Sequence, residues 1–262
     1  MNKLLLDFKY VSRLLAKSPV FTGVSVLVIV LGLAMYLCAY TLRYNFLAKP
    51  LPYPDGDRFI GVKTVFAKTG VSFFGGNFDG YAINYFSERL QSFEQFGAYR
   101  WRPITLTDGA YAQEFTGAEI MPHMLAATGV QPFMGRLVVE DDAAPGAAPV
   151  VLIRYKVWQN YFAAGPAIIG ATTQIGGRPH TIVGVMPKDF DYPNSQHIWL
   201  PLNTANALKP GPLDLAALGK LKKDVSLAEA NREFNQVYTQ LIEDYLAFYG
   251  QLPTAKERTY NC

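Results

Sequence analysis

Between Lys17 and Arg43 the chain carries no charged side chain, and Ser18 to Leu42 is apolar almost throughout. As a helix rising about 1.5 Å per residue, this stretch is long enough to cross a hydrocarbon core of about 30 Å with some tilt. It constrains the fold more than anything else in the sequence. It predicts one transmembrane helix, a short segment before it and a large folded part after it.

The charge balance agrees with that division. Lys3, Lys9, Arg13 and Lys17 against Asp7 account for the whole net charge of +3, so the chain beyond residue 17 is electrically balanced. A basic flank beside a span favours the cytoplasmic side, which predicts a cytoplasmic N-terminus and an extracytoplasmic bulk. The same distribution argues against a nucleic-acid partner, since no basic surface is left over for one. A retained anchor is preferred to a cleaved signal. The apolar run exceeds an ordinary signal core, and Tyr36, Tyr40 and Arg43 stand where small residues would have to close it. Half the residues are hydrophobic, enough for a packed core. Only two cysteines occur, Cys38 within the span and Cys262 at the end, so packing and not disulfides must hold the outer part together.

Residues 3–17 place Leu4, Phe8, Val11 and Leu15 at helical spacing, with Lys9, Arg13 and Lys17 on another face. This pattern suits an interfacial amphipathic helix or the plain basic flank of an anchor. Ser18 is the expected N-cap of the span and Pro19 its first helical residue. Within the span, Ser25, Gly32 and Ala39 recur every seven residues. Small side chains on one stripe let a second membrane helix approach closely, so these three are the candidate helix-packing residues.

After a Pro-rich exit, Leu51 to Asp57, strands are expected over Phe59–Phe66, Gly97–Leu106 and Ala112–Glu119, with a helix near residues 79–92 between the first two. A short helix over Pro122–Thr128 ends at Gly129. Beyond a boundary at Glu140–Pro149 come a strand at Val150–Ile153 and a helix at Lys156–Phe162. A hairpin then turns at Gly176-Gly177 between Ala171–Ile175 and His180–Val185, and Ile198–Leu202 is a further strand. The last helix has the clearest signature. Ser226 and Glu229 form a capping box ahead of Leu227, Ala230, Phe234, Val237, Leu241, Tyr245 and Phe248 at three and four spacing. The tail from Gln251 to Cys262 shows no periodic pattern.

No pattern of catalytic or metal-binding residues emerges. His123, His180 and His197 are far apart without ligand spacing, and neither a Gly-x-Ser-x-Gly elbow nor a phosphate-binding loop with lysine occurs. A site assembled from these histidines with Asp141, Asp142 or Asp191 would make the protein an anchored hydrolase; it is the weaker reading. Trp158, Trp199 and Tyr161 suit core packing better than a ligand platform. Arg136 is read as a structural ion-pairing residue. No catalytic residue, cofactor or metal is expected.

Several segments, in order, resemble the N-terminal half of MacB-like, FtsX-type ABC permeases, the acidobacterial permease group in particular. They are Lys17-Ser18-Pro19-Val20-Phe21-Thr22, Pro50-Leu51-Pro52-Tyr53-Pro54-Asp55 and the run from Gly129-Val130-Gln131-Pro132 through Phe133-Met134-Gly135-Arg136. Trp158-Gln159-Asn160-Tyr161-Phe162, Ile182-Val183-Gly184-Val185-Met186-Pro187 and Leu221-Lys222-Lys223-Asp224-Val225-Ser226-Leu227 complete the series. The resemblance implies an α+β fold: a transmembrane helix at 18–42 after a cytoplasmic segment 1–17, then a mixed α/β periplasmic core domain over 43–262. Its porter-like part would be 55–137 and 213–250, with a smaller β-rich part, 138–212, inserted. It further implies a bacterial inner-membrane protein that partners the lipid bilayer, an ABC ATPase subunit and the remaining permease helices; the small-residue stripe separately suggests helix pairing, a homo-oligomer being one form it could take. Three more spans follow this domain in such permeases and none is present by Cys262, so the chain is expected to be a fragment, a truncated product or one piece of a split permease. A stand-alone anchored adaptor is the alternative.

Overall fold

The computed structural model of the protein describes residues 17–43, 53–66, 72–74, 78–108, 111–204, 211, 214–249 and 258–261. The chain divides into two units, Met1–Pro50 and Leu51–Cys262.

In the first unit, helix α1 spans Pro19–Arg43. The Ser18 carbonyl accepts the Thr22 N–H at 3.0 Å and closes the first turn, while Pro19, which has no N–H to leave unpaired, opens the helix. Pro19–Thr41 is long and apolar enough to cross a membrane, and its large side chains from Val20 to Tyr40 are exposed all round. The amphipathic pattern of residues 3–16 lies outside the described residues, as do Gly75, Gly76, Pro210, Pro212 and Cys262.

The second unit begins with a 3-10 turn at Gly56–Arg58, followed by strands β1 (Phe59–Gly61), β2 (Lys63–Phe66) and β3 (Ser72–Phe74) and helix α2 (Gly80–Arg89). A long hairpin, β4 (Phe93–Asp108) and β5 (Tyr111–Ile120), leads to α3 (Pro122–Ala126) and the two-residue β6 (Met134–Gly135). Then come β7 (Val150–Arg154), α4 (Tyr155–Asn160), β8 (Thr172–Ile175), β9 (Arg178–Met186) and β10 (Ile198–Pro201). Strand β11 (Ala216–Leu221), helix α5 (Leu227–Tyr249) and β12 (Arg258–Asn261) complete the order.

Nine strands form one mixed sheet in the order β1-β11-β4-β5-β10-β7-β9-β6, with β8 joined to both β4 and β9. Two of its pairings are parallel, β10 with β5 and β7 with β9. Because β8 bridges β4 and β9, the pairing closes a ring, β4-β5-β10-β7-β9-β8, which is a small six-stranded barrel. β4 is long enough to serve both ends of the sheet. Its first residues pair with β11 beneath the helices, and Leu106 and Thr107 pair with β8 in the ring.

Side-chain alternation explains how one sheet serves separate cores. All five residues of β7 are buried, but Val151 and Ile153 point into the ring while Val150 and Leu152 point to the opposite face. On β10, Ile198 and Leu200 line the ring and Trp199 faces away. β9 breaks the period: Ile182 and Val185, three apart, both face inward. The register slips between Val151 and Leu152, which pair with Ile182 and Gly184, and the slip absorbs the extra residue.

The third core lies under α2 and α5. Phe86 and Phe234 stack with ring centroids 4.6 Å apart, and Phe78, Phe93 and Phe96 pack around them. Asp79 caps α2 by accepting the Ala82 N–H at 2.8 Å. It also accepts the Tyr245 hydroxyl at 2.7 Å and the Gly211 N–H at 2.8 Å, so one buried carboxylate ties α2, α5 and the segment before β11 together. At the start of α5, Ser226 N–H donates to Glu229 Oε2 at 2.9 Å and Glu229 N–H to Ser226 Oγ at 3.3 Å, the expected capping box. Ala230, Phe234, Val237, Leu241 and Tyr245 are buried as the spacing predicts, whereas Leu227 at the helix entry stays half exposed.

Three local expectations change. The strand expected over Phe59–Phe66 is two strands in different sheets. Val62, buried with its N–H donated to the Ala217 carbonyl, turns the chain from β1 beside β11 into β2 of a three-stranded sheet ordered β12-β2-β3. The tail without a pattern contains β12, held by backbone pairing to β2. β11, which the sequence reading passed over, is a central strand between β1 and β4. The Gly176-Gly177 hairpin stands as expected, both glycines having positive φ (57° and 76°), as a two-residue turn of this hand requires.

Candidate functional site

Two polar networks of the second unit meet on residues 53–59, which follow α1 in sequence. From Tyr53 to Phe59 the chain makes a tight turn, with the Tyr53 carbonyl accepting the Gly56 N–H at 2.9 Å and that of Asp55 the Arg58 N–H at 3.0 Å. Asp55 adopts a left-handed backbone (φ 57°), which short polar residues tolerate in turns. Arg58 reaches across to the sheet. Its Nε donates to the Leu221 carbonyl at 2.8 Å and its Nη1 to Asp55 at 2.9 Å, while Nη2 contacts Glu94. Lys220 lies 3.6 Å from Asp55 and 3.7 Å from Glu94, so two cations and two carboxylates neutralise one another. Hydrogen bonding from Arg58 holds the Glu94 carboxyl below its ordinary range.

The other end of the turn meets the loop before β10. The Tyr53 hydroxyl accepts the Asp191 N–H at 2.6 Å, and its ring packs on Phe190 with centroids 5.2 Å apart. The Asp191 carboxylate takes the buried Arg154 guanidinium at the end of β7. Tyr192 next to it is buried against Phe59, and desolvation pushes its hydroxyl pKa well above the usual value.

The residues considered for chemistry are dispersed into structural roles. His197 Nδ1 lies 2.6 Å from Thr116 Oγ1, and burial, with Arg154 and Lys156 adding to it, lowers the imidazole pKa. A hydroxyl and a neutral imidazole thus meet, but the nearby Asp191 carboxylate serves Arg154 and does not orient the ring, as a nucleophilic triad would require. His123 sits between Glu140, at 3.0 Å, and the Phe96 carbonyl, at 3.1 Å, and His180 turns back onto the Arg178 carbonyl. Among the described residues no group of three His, Cys, Asp or Glu side chains converges to hold a metal. Trp199 is fully buried and donates to the Tyr192 carbonyl at 2.8 Å; Trp158 donates to that of Gly165 at 3.0 Å within a cluster with Phe133 and Tyr155. A cleft of about 320 Å³ opens beside Asn84, Leu90, Phe96, Met121 and His123, and Asn84 is already paired with Thr204.

Arg136 forms a forked pair with Asp142, at 2.5 and 2.8 Å, which closes the turn at Glu140–Ala143. That hydrogen bonding lowers the Asp142 pKa below 3.8. A depressed carboxylate contributes stability above its unfolded pKa and loses it as pH falls through the folded value. Asp142→Asn is therefore expected to weaken the protein at pH 7 and to flatten its loss of stability below about pH 4, which denaturant titrations at stepped pH would reveal. An unchanged acid limb would show that the pair contributes nothing.

Along α1, Ser25, Gly32 and Ala39 occupy one face, and a Cβ added at Gly32 would meet nothing within 4 Å. Sequence reasoning named Asp191 only as a partner for the histidines and Tyr53 only within the Pro-rich exit, and it missed Arg154 and the link among the three, since a tyrosine after a proline and an aspartate in a loop carry no spacing signal. The Pro-rich exit itself was the available hint.

Comparison with known proteins settles the family. Residues 22–237 match the MacB-like periplasmic core domain. The chain belongs to that family. Three solved structures share the MacB-like fold at low identity. A permease protein domain from Porphyromonas gingivalis aligns with TM-score 0.51 and 20% identity, covering 80% of this chain and 91% of its own. The extracellular domain of the noncanonic ABC-type transporter YknZ from Gram-positive bacteria gives 0.54 and 15%, covering 77% and 98%. The periplasmic region of MacB from Actinobacillus actinomycetemcomitans gives 0.51 and 18%, covering 76% and 87%. A search of curated proteins by sequence returns no match. The α+β class with one N-terminal apolar helix is thus that of a MacB-like periplasmic domain.

Proposed function

We propose that this chain is the N-terminal, membrane-anchored part of an ABC transporter permease, non-catalytic itself, that couples a separate cytoplasmic ATPase to handling of a substrate or partner outside the membrane, in efflux or mechanotransmission. The observation that carries the reading is the unbroken family match from Thr22, inside α1, to Val237, inside α5. Anchor and folded domain belong to one inherited unit. In this reading the N-terminus is cytoplasmic and the bulk periplasmic, as the basic flank favours. Residues 55–137 and 213–250 form the porter-like part, and 138–212 the inserted part, which supplies four of the ring strands. The stripe Ser25, Gly32 and Ala39 receives another permease helix or a second copy.

The test is crosslinking in native membranes. With Ala39→Cys in a Cys38→Ser background, we expect an adduct with a polytopic membrane protein or a second copy, an ABC ATPase co-purifying with it, and loss of the adduct when Gly32→Leu blocks the stripe. A chain that stays alone in the membrane would overturn the permease reading in favour of a stand-alone adaptor. Tight ATP binding by the purified chain would refute the division of labour.

A further inference from the structure

The turn from Tyr53 to Phe59 ends in a firmly paired residue, Phe59, which joins β11 and packs on Tyr192, and before it the turn is fastened at two points of unequal strength. At Arg58 the hold is multiple: the Leu221 carbonyl, Asp55 and Glu94 all accept from one guanidinium, and Lys220 closes the charge cluster. At Tyr53, among the described residues, it is a hydrogen bond between neutral groups, to the Asp191 N–H, and packing of the half-buried ring on Phe190 and its core cluster. Charge-assisted and multidentate bonds outlast a single neutral one. The weaker point sits on the loop that leads into β10, the strand linking β5 to β7 within the ring, and Asp191 also carries the ion pair to Arg154 at the end of β7.

We propose that residues Tyr53–Phe59 are a releasable strap, in which Arg58 is the fixed pivot and Tyr53 a latch that holds the Asp191 loop, and through it the barrel, in one of two states. This deepens the coupling role above and rests on it for its purpose, but not for its existence. A displacement of the chain at the membrane exit reaches Tyr53 before it reaches Arg58. It peels the ring from Phe190 and removes the acceptor from the Asp191 N–H, loosening the start of the loop, while β4 and β11 stay clamped by Arg58. The loop then keeps the Arg154 pair, the packing of Tyr192 on Phe59 and the bond from the Trp199 indole to the Tyr192 carbonyl, and through that last bond its shift reaches β10.

The test uses the whole chain in lipid nanodiscs, with amide hydrogen exchange read as a function of position. Tyr53→Phe keeps the ring and removes the acceptor, and is expected to speed exchange across residues 189–192 at least about fivefold, the effect of one lost hydrogen bond. Tyr53→Ala, which also removes the ring contact, is expected to extend the effect to β10. β4 and β11 should exchange at the wild-type rate in both variants. Unchanged exchange at 189–192 in both would overturn the latch. Acceleration spread evenly over every strand would overturn it too, because Tyr53 would then be an ordinary stabilising contact. No ATPase is present, so the outcome stands apart from whether one is captured in the crosslinking experiment.

Discussion

Phe234→Ala is expected to lower the unfolding free energy by about 3–5 kcal/mol, the range for deleting a fully buried phenylalanine whose site cannot collapse. Phe234 is 0% exposed and stacks on Phe86 at 4.6 Å, with Phe78 and Phe96 at 6.2 and 6.3 Å. Those three rings arise from α2, β4 and the segment before α2, so no single element can shift to fill the space. Denaturant unfolding of the full chain in detergent measures the change as a lower midpoint at unchanged slope. A loss under about 1 kcal/mol would show that α5 is not the lid of this core.

Gly135→Ala should be as disruptive, through the backbone and not through lost burial. Gly135 has φ 75° and pairs with Gly184 where β6 crosses β9, and an added Cβ would lie 2.2 Å from the Val183 carbonyl. A left-handed conformation costs an L-residue about 1–2 kcal/mol and overpacking about 1–3 more, giving a loss of about 2–5 kcal/mol. Gly146→Ala is the control, since its φ is 83° but a Cβ there meets nothing within 4 Å. Equal losses at the two positions would exclude the contact with Val183 as the cause.

The sequence was legible where a local pattern decides structure. The uncharged run predicted α1, the Ser226 and Glu229 box predicted the start of α5, and Gly176-Gly177 predicted a hairpin, because each is settled by a few neighbouring residues. What was not legible depends on distant partners. β11, Ala216-Ala217-Leu218-Gly219-Lys220-Leu221, is too small and mixed to announce a central strand, and it is one because β1 and β4 flank it. Gly219 suits that place, as any Cβ there would strike the Phe93 ring. The split of Phe59–Phe66 between two sheets follows from pairing with Ala217, which no local pattern contains. The strap was visible only as a Pro-rich exit, since its grip comes from Leu221, Glu94 and Asp191, remote in sequence.

β4 gives the two ends of the domain a common spine. Its residues from Phe93 to Tyr99 lie against β11, and Ile104 and Leu106 further along line the ring. No linker separates these stretches, because β11 pairs with β4 up to Tyr99 and β5 pairs with it from Tyr99 onward, so one neighbour takes over where the other ends. Any movement of the barrel against the helix-backed end must therefore appear as twist or flexure of this one strand. A transporter built on such a domain would pass torsion along it, much as a shaft does, instead of folding it like a door.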